Sequence, residues 1–283
     1  SEGVEVQYKD QVTGEIIKTE TIEGLEKDGY TTEPEEIPGY ELVVTPDNAD
    51  GEMTDGKTTV IYEYKKVSNV VAKYIDENTD EEIIASVTNK YKEGNAYTTE
   101  EKTFAGYTLT VAPDNANGTV AREDIEVVYK YKKVSAGVTI RYIDQSTGEE
   151  LASELIEGLE NDEYTSVAKD IEGYELVVTP ENANGKLTPD LTIVTYEYRK
   201  LSDVTVKYID ENTGAEIIAA TTKQYKEGDA YTTEVQTIDG YKLTLTPDNA
   251  TGTMARDDIE VVYGYKKISE GVEVQYKDQV TGE

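Results

Sequence analysis

The chain has no cysteine, no histidine and no tryptophan, one phenylalanine and two methionines. Without cysteine there are no disulfides, thiolate metal sites or cysteine nucleophiles. Without histidine, imidazole catalysis and histidine-ligated metals are excluded as well. Positive charge is also scarce, with 27 Lys and Arg against 59 Asp and Glu and a formal net charge of −32. That balance repels nucleic acid and anionic membrane, keeps molecules apart and suits loose cation association. No apolar run approaches the roughly 18 residues of a membrane helix, and no stretch reads as a signal peptide or anchor.

What is present is periodic. GYELVVTPDNADG from Gly39 returns as GYTLTVAPDNANG from Gly106, GYELVVTPENANG from Gly173 and GYKLTLTPDNATG from Gly240, at intervals of 67 residues. A fixed period of this size means an array of small units. The repeats are placed at 1–67, 68–134, 135–201 and 202–268. Each is small enough for a lone core to be thin, and the 23 tyrosines supply nearly all the aromatic material.

Within the first repeat, Val4, Val6 and Tyr8 alternate with Glu5, Gln7 and Lys9, the pattern of a half-buried strand. A turn at 11–14 leads to a less regular strand over 15–22. The segment GLEKDGYTTE leaves two readings open, a short helical turn or a loop, because Gly24 and Gly29 weaken a helix. Tyr40, Leu42 and Val44 then form one face of a strand that stops at Pro46-Asp47-Asn48, a turn sequence. Gly51 is read as supplying a positive φ. Val60, Tyr62 and Tyr64 face inward on the last strand. The junctions KKVSN, KKVSA and RKLSD contain neither Pro nor Gly, so stiff joints and a monomeric rod are expected. The repeats also alternate. Repeats one and three share EGLE; repeats two and four share KYIDENT, YKEG and A-R-[ED]-D-I-E-V-V-Y. Residues 269–283 copy residues 1–15, so they read as the start of a truncated fifth repeat, frayed or paired with a nearby sheet edge.

The order K-Y-[IV]-D-E-N-T-G, Y-x-x-G-x-x-Y-T-T, G-Y-x-L-x-x-x-P-x-N-A-x-G and V-x-Y-x-Y-K-K resembles the MucBP (mucin-binding protein) repeat. Residues 203–267 and 69–133 match best. The odd repeats depart from the pattern, with Lys27 and Asn161 where the even repeats have Gly94 and Gly228. The resemblance implies mostly β (α+β) domains related to the ubiquitin-like β-grasp, with first and last strands parallel, strung into an extended rod. It implies a repeat region of an extracellular adhesin on the cell wall of a Gram-positive bacterium, with mucin or another host glycoprotein as partner.

Candidate ligand contacts are Tyr91 and Tyr225, which occur only in the even repeats, together with Tyr97 and Tyr231, which lie between ambiguous segments. Sugar rings stack on aromatic faces, although packing is the commoner fate of a tyrosine. Asp47 and Asp50 sit in an Asx-rich turn, and Asp76 and Asp80 in an acidic hairpin tip. They are candidates for Ca²⁺, but the oxygen spacing of a calcium loop is incomplete and turn formation explains them equally. Asn48, Asn115, Asn182 and Asn249 recur at one position and raise the question of a Lys–Asn isopeptide link with Lys73 or Lys207, which repeat three answers with Arg141. Nothing resembles a phosphate loop or a catalytic cleft, so no enzyme is expected. The reading is an adhesin stalk with weak multivalent contacts. The alternative is a pure spacer that presents a distal head, stiffened by Ca²⁺.

Overall fold

The computed structural model describes residues 2–282. Its first compact unit runs to Ser135 and includes Leu159–Asn161; the second holds Ala136–Gly158 and continues from Asp162. The first unit contains β1 (Val4–Asp10), β2 (Ile16–Ile22), β3 (Gly29–Thr31), β4 (Tyr40–Val44), β5 (Asp50–Glu52), β6 (Thr58–Asp76), β7 (Glu82–Lys92), β8 (Ala96–Thr98), β9 (Tyr107–Val111), β10 (Asn117–Thr119) and β11 (Ile125–Lys133). The second repeats the series as β12 (Val138–Asp144), β13 (Glu150–Ile156), β14 (Glu163–Thr165), β15 (Tyr174–Val178), β16 (Asn184–Lys186), β17 (Thr192–Asp210), β18 (Glu216–Lys226), β19 (Ala230–Thr232), β20 (Tyr241–Leu245), β21 (Thr251–Thr253) and β22 (Ile259–Lys267).

Each repeat is a small mixed sheet with a two-stranded ribbon packed on its inner face. In the first, β1 lies between β2, antiparallel, and β6, parallel, and β4 closes the far side against β6. The ribbon β3–β5 adds Tyr30 and Met53 to a core of Val4, Val6, Tyr8, Val60, Tyr62 and Tyr64. The same parallel pairing of first and last strands recurs in all four repeats.

Two strands, β6 and β17, are 19 residues long and belong to two repeats each. The first half of β6 ends repeat one beside β1, and its second half begins repeat two beside β7 and β11. Alternation holds across the joint: from Val60 to Asp76 the buried side chains stay on even numbers, with only Lys66 half exposed. The joint after repeat two is different. There β11 stops at Lys133 and β12 starts at Val138, after Gly137 at φ 93°. A Cβ on Gly137 would stand 2.7 Å from the Ile156 carbonyl oxygen, as one on Gly3 would from that of Ile22. Odd repeats therefore start on glycine because a neighbouring carbonyl fills the space. The three junctions are thus not equivalent: a strand runs through the first and third, and at the second one strand ends before the next begins.

Tyrosine is chosen over phenylalanine because its hydroxyl ties the irregular segments to the sheet. Tyr8 stacks on Tyr62 with centroids 5.7 Å apart, and Tyr74 on Tyr129, Tyr142 on Tyr196 and Tyr208 on Tyr263 do the same. The Tyr64 hydroxyl donates to the Glu35 carbonyl at 2.7 Å and accepts from the Glu35 amide at 3.0 Å. The Thr32 hydroxyl donates to the Ala49 carbonyl and so accepts from the Tyr62 hydroxyl at 2.8 Å. Among the described residues no buried side-chain nitrogen or oxygen lacks a partner. Phe104, the one apolar ring, instead packs edge-on to Tyr131 and Tyr74.

Several expectations change. The described residues contain no helix, so the fold is all-β rather than α+β. The segment after Gly24 forms a turn with Lys27 at φ 70° and then β3, a conformation that interrupts any helix. Lys27 and Asn161 hold the same left-handed backbone as Gly94 and Gly228, so the departure from the family pattern changes the residue and keeps the turn. Val44 turns outward because the register with β6 slips between Leu42 and Val44. Gly51 is not needed for a positive φ. Its added Cβ would sit 3.0 Å from the Tyr30 hydroxyl, so the glycine makes room for the ring, as Gly118 does for Tyr97. Residues 269–278 form no strand, and Val272 and Tyr276 are exposed.

Two stability predictions follow from these turns. Asp80 has φ 58°, where Gly14, Gly148 and Gly214 stand in the other repeats. Asp80→Gly is expected to stabilise repeat two by about 0.5–1 kcal/mol, read as a higher thermal midpoint; a lower one would show that the Asp80 side chain contributes more than its backbone costs. Gly118→Ala is expected to destabilise by about 1–2 kcal/mol. It should cost more than Gly51→Ala, because Tyr97 is backed by Tyr91 at 6.3 Å and cannot retreat. Equal losses would remove that explanation.

Candidate ligand groove and the clasp within each repeat pair

The two candidate tyrosines of each even repeat do come together. β7 and β18 are 11 residues long where β2 and β13 have seven, and the extra length carries them along the joint half of the shared strand. Tyr91 thereby lies opposite Ser68, and Tyr225 opposite Ser202. Each tilts against the ribbon tyrosine, Tyr91 on Tyr97 at 6.3 Å and Tyr225 on Tyr231 at 6.2 Å. Their accessibility differs. Tyr97 and Tyr231 are buried, and their hydroxyls donate to the Asn115 and Asn249 carbonyls. Tyr91 and Tyr225 are half-buried. Of the four, only these two present surface to a ligand.

Tyr225 borders two grooves. One, of about 270 Å³, has Val204, Val206 and Tyr208 as floor, Thr221, Lys223 and Tyr225 along one wall and Thr233, Glu234 and Gln236 along the other. The second, more open, lies at the joint between Glu175, Leu201, Tyr225 and Asp229. Lys223 places its ammonium 4.9 Å from the Tyr225 ring centroid.

The same joint holds an ion-pair clasp that the motif reading did not single out. Arg122 of repeat two reaches back to repeat one, donating from Nη2 to Asp10 at 2.7 Å and to the Tyr40 hydroxyl at 3.4 Å, while its Nη1 donates to Glu93 of its own repeat at 2.6 Å. Arg256 repeats this with Asp144 and Glu227 at 2.6 and 2.7 Å. Asp10 and Asp144 are fully buried. Burial alone would raise the Asp10 carboxyl; the Arg122 hydrogen bond and the Thr13 and Val12 amides outweigh it and hold it at about 2. Asp144 is lowered in the same way against the same burial penalty. Two residues further on, Asp124 and Asp258 accept the backbone N–H of Asn69 and Asp203 at 2.7 and 2.8 Å. The A-R-[ED]-D segment thus fastens the joint from both sides. At the positions of Arg122 the odd repeats have Asp55 and Pro189, so they cannot form the clasp. The available signal was two of only four arginines recurring in the even repeats of an acidic chain.

The acidic candidates do not gather. Among the described residues no group of three or more Asp or Glu side chains is placed to hold a metal. Asp47 and Asp50 are exposed. Asp76 is buried; one carboxylate oxygen accepts the Asn78 amide and the other accepts from the Tyr107 hydroxyl and faces Lys133, while the Asp80 amide donates to the Asp76 carbonyl. Nor do the asparagines meet a lysine. Asn48 donates across the turn to the Thr59 carbonyl at 3.0 Å, as its three counterparts do to theirs. Lys73 and Lys207 pair with Glu126 and Glu260 at partly exposed positions.

The MucBP domain model matches residues 3–65, 69–132, 137–199 and 203–266. The chain belongs to the MucBP domain family. Internalin J of Listeria monocytogenes serotype 4b is 38% identical over 295 residues, covering 98% of the chain and 32% of that protein. Muramidase-released protein of Streptococcus suis is 30% identical over 165 residues, covering 58% of the chain and 11% of that protein. The chain therefore spans about a third of internalin J. Among solved structures, the type 2 repeat of the mucus binding protein MUB from Lactobacillus reuteri is 18% identical, with a TM-score of 0.19, covering 46% of the chain and 98% of that structure. The streptococcal SHIRT domains 3-4 from a cell surface protein give 17% and 0.19, covering 46% and 97%. Likenesses that weak carry no argument about ligand or arrangement. Among the described residues no helix is long and apolar enough to cross a membrane.

The clasp has a pH signature. Because the Asp10 carboxyl is held below its ordinary value of 3.8, its contribution is complete above that value and is lost as pH falls toward about 2. Arg122→Met leaves a buried carboxylate unpaired and is expected to cost about 3 kcal/mol or more at neutral pH. It should also move acid unfolding, followed by circular dichroism of the full chain, to higher pH. Arg141→Met, which breaks the exposed pair with Glu150, is expected to cost under about 1 kcal/mol. Equal effects of the two would refute a clasp.

Proposed function

We propose that this MucBP array is the repeat region of an adhesin on a Gram-positive cell surface, where it spaces a binding partner domain from the cell wall and adds weak, multivalent contacts to mucin or another host glycoprotein. The observation that carries the spacer is the shared 19-residue strand, which leaves one repeat at the pole opposite its entry and becomes the first strand of the next. An element of that length spans about 60 Å at 3.3 Å per residue. The relatives support a surface repeat, since the names they carry are internalin J and muramidase-released protein. They do not point to catalysis, and the reading is non-enzymatic.

Glycan contact rests on Tyr91 and Tyr225, the half-buried members of the candidate set. Each repeat pair offers one such ring, so useful avidity comes from the number of pairs rather than from any one site. Mucins are anionic and so is this chain, which restricts contact to short-range stacking and hydrogen bonding.

Small-angle scattering of the full chain is expected to give the cross-section of a single repeat; a globular profile removes the spacer. Binding to immobilised mucin is expected to be saturable, insensitive to calcium and lost in the Tyr91→Ala/Tyr225→Ala double variant. Saturable binding that survives both substitutions would place the contact elsewhere, and its complete absence in the unmodified chain would leave the spacer alone.

A further inference from the structure

The floor of the groove described above exists in every repeat, and in three of them the chain covers it with its own ammonium. Lys18 lies 5.8 Å from the Tyr8 centroid, Lys102 5.1 Å from Tyr74 and Lys169 5.2 Å from Tyr142. The lysines come from different walls. Lys18 is on β2, opposite Tyr8, and bridges Glu20 and Glu35 across the groove. Lys102 and Lys169 lie on the facing segment, five residues after the ribbon tyrosine, and Lys169 pairs with Glu154 on the opposite wall. The position of the ammonium over the ring is kept while its source changes.

Repeat four breaks this rule. Ile218 stands opposite Tyr208 where Lys18 faces Tyr8. Gln236 occupies the place of Lys102 and Lys169. Among the described residues no ammonium lies over Tyr208, since Lys223, on the rim, is turned to Tyr225. The difference on the floor itself is confined to the valine. Val206 is 8% exposed against 1% for Val6, 4% for Ala72 and 2% for Ile140, while Tyr208 stays buried like Tyr8, Tyr74 and Tyr142. A groove of similar size, about 320 Å³, lies over Tyr8, and there Glu20 and Glu35 of the lining hold the Lys18 ammonium beside the ring.

We propose that the groove of repeat four receives a lysine side chain from a basic partner protein. The aromatic face attracts a cation through its quadrupole, and three sister repeats satisfy that attraction internally. Val206 and Tyr208 suit the methylene stem, while the Thr221 hydroxyl and the Gln236 carboxamide offer neutral oxygens to the ammonium; the Thr233 hydroxyl is already engaged with the Ala250 carbonyl and Tyr263. Glu234 on the rim and the net charge of −32 favour a cationic partner over an anionic one. Such a partner differs from the anionic glycoprotein proposed above, so the two readings stand or fall separately.

The test is an NMR titration of the full chain, labelled at Val methyls and Tyr rings, with Nα-acetyl-lysine methylamide as the probe. Saturable shifts are expected at Val206 and Tyr208. Nα-acetyl-norleucine methylamide, which keeps the stem and lacks the ammonium, should give none. Gln236→Lys restores the arrangement of repeats two and three, so it folds, and it is expected to weaken the probe about tenfold or more. Lys102→Gln should open a second site, with new shifts at Tyr74. The proposal is overturned if the shifts spread over the acidic surface without saturating, if Gln236→Lys leaves them unchanged, or if the norleucine analogue matches the lysine probe. Choline binding as well as the lysine probe would overturn the assignment to a lysine side chain, because a quaternary ammonium has no N–H to donate.

Discussion

The parallel pairing of first and last strands is the constraint from which the rest follows. In an antiparallel arrangement the chain would return to the pole at which it entered, and the next repeat would start beside the first. With β6 parallel to β1 the chain leaves at the opposite pole. It can then continue without turning, which β6 does for 19 residues. A parallel neighbour also requires a long crossover, and residues 11–57 serve as that crossover. They contain no helix, so the inner face of the sheet is covered by a short ribbon and by irregular backbone. Irregular backbone over a core needs partners for its polar groups. The tyrosine hydroxyls supply them, which is why Tyr64, Tyr131, Tyr198 and Tyr265 all bond to the backbone five residues after the ribbon tyrosine.

That dependence explains what was legible in the sequence. Alternation identified β1 and the two ends of β6 because both are half-buried strands with one apolar face, and Val4, Val6, Tyr8, Val60, Tyr62 and Tyr64 are buried as the pattern requires. The crossover was harder to read. Its residues are set by tyrosine hydroxyls and by close approach rather than by periodicity. Gly51 and Gly39 look alike in sequence, yet one makes room for a ring and the other takes φ 78°. The outward turn of Val44 follows from a register slip that alternation cannot show. Among the candidate tyrosines, sequence separated Tyr91 and Tyr225 by their restriction to even repeats but could not tell that Tyr97 and Tyr231 would be sealed under their glycines.

The alternation of odd and even repeats has a physical basis in the A-R-[ED]-D segment. The first strand of every repeat ends on a buried aspartate, Asp10, Asp76, Asp144 or Asp210, and at the two joints that a strand runs through, Asp10 and Asp144 accept from the arginine of the next repeat. An unpaired buried charge is expensive; Asp76 is held within its own repeat by Tyr107 and Lys133, whereas Asp10 and Asp144 take their partner from the repeat that follows. Where Asp55 or Pro189 replaces the arginine, no such pairing is available. Odd repeats begin instead at Gly3 or Gly137, whose space is taken by a carbonyl oxygen. The pair of repeats is therefore the unit in which sequence, hydrogen bonding and strand continuity agree.

The scarcity of positive charge gives each lysine and arginine unusual weight. With 27 cationic side chains against 59 acidic ones, most anions have no fixed partner. Two of the sites that hold cations recur: the arginine in the clasp of each pair and the lysine over the floor ring of three repeats. Moving the lysine from one groove wall to the other while keeping its ammonium over the ring shows that the ring site, not the backbone position, fixes the choice. A repeat that keeps the ring and the groove but has glutamine at that position retains the same attraction without internal satisfaction. In a chain whose surface field already concentrates cations, that attraction is directed outward.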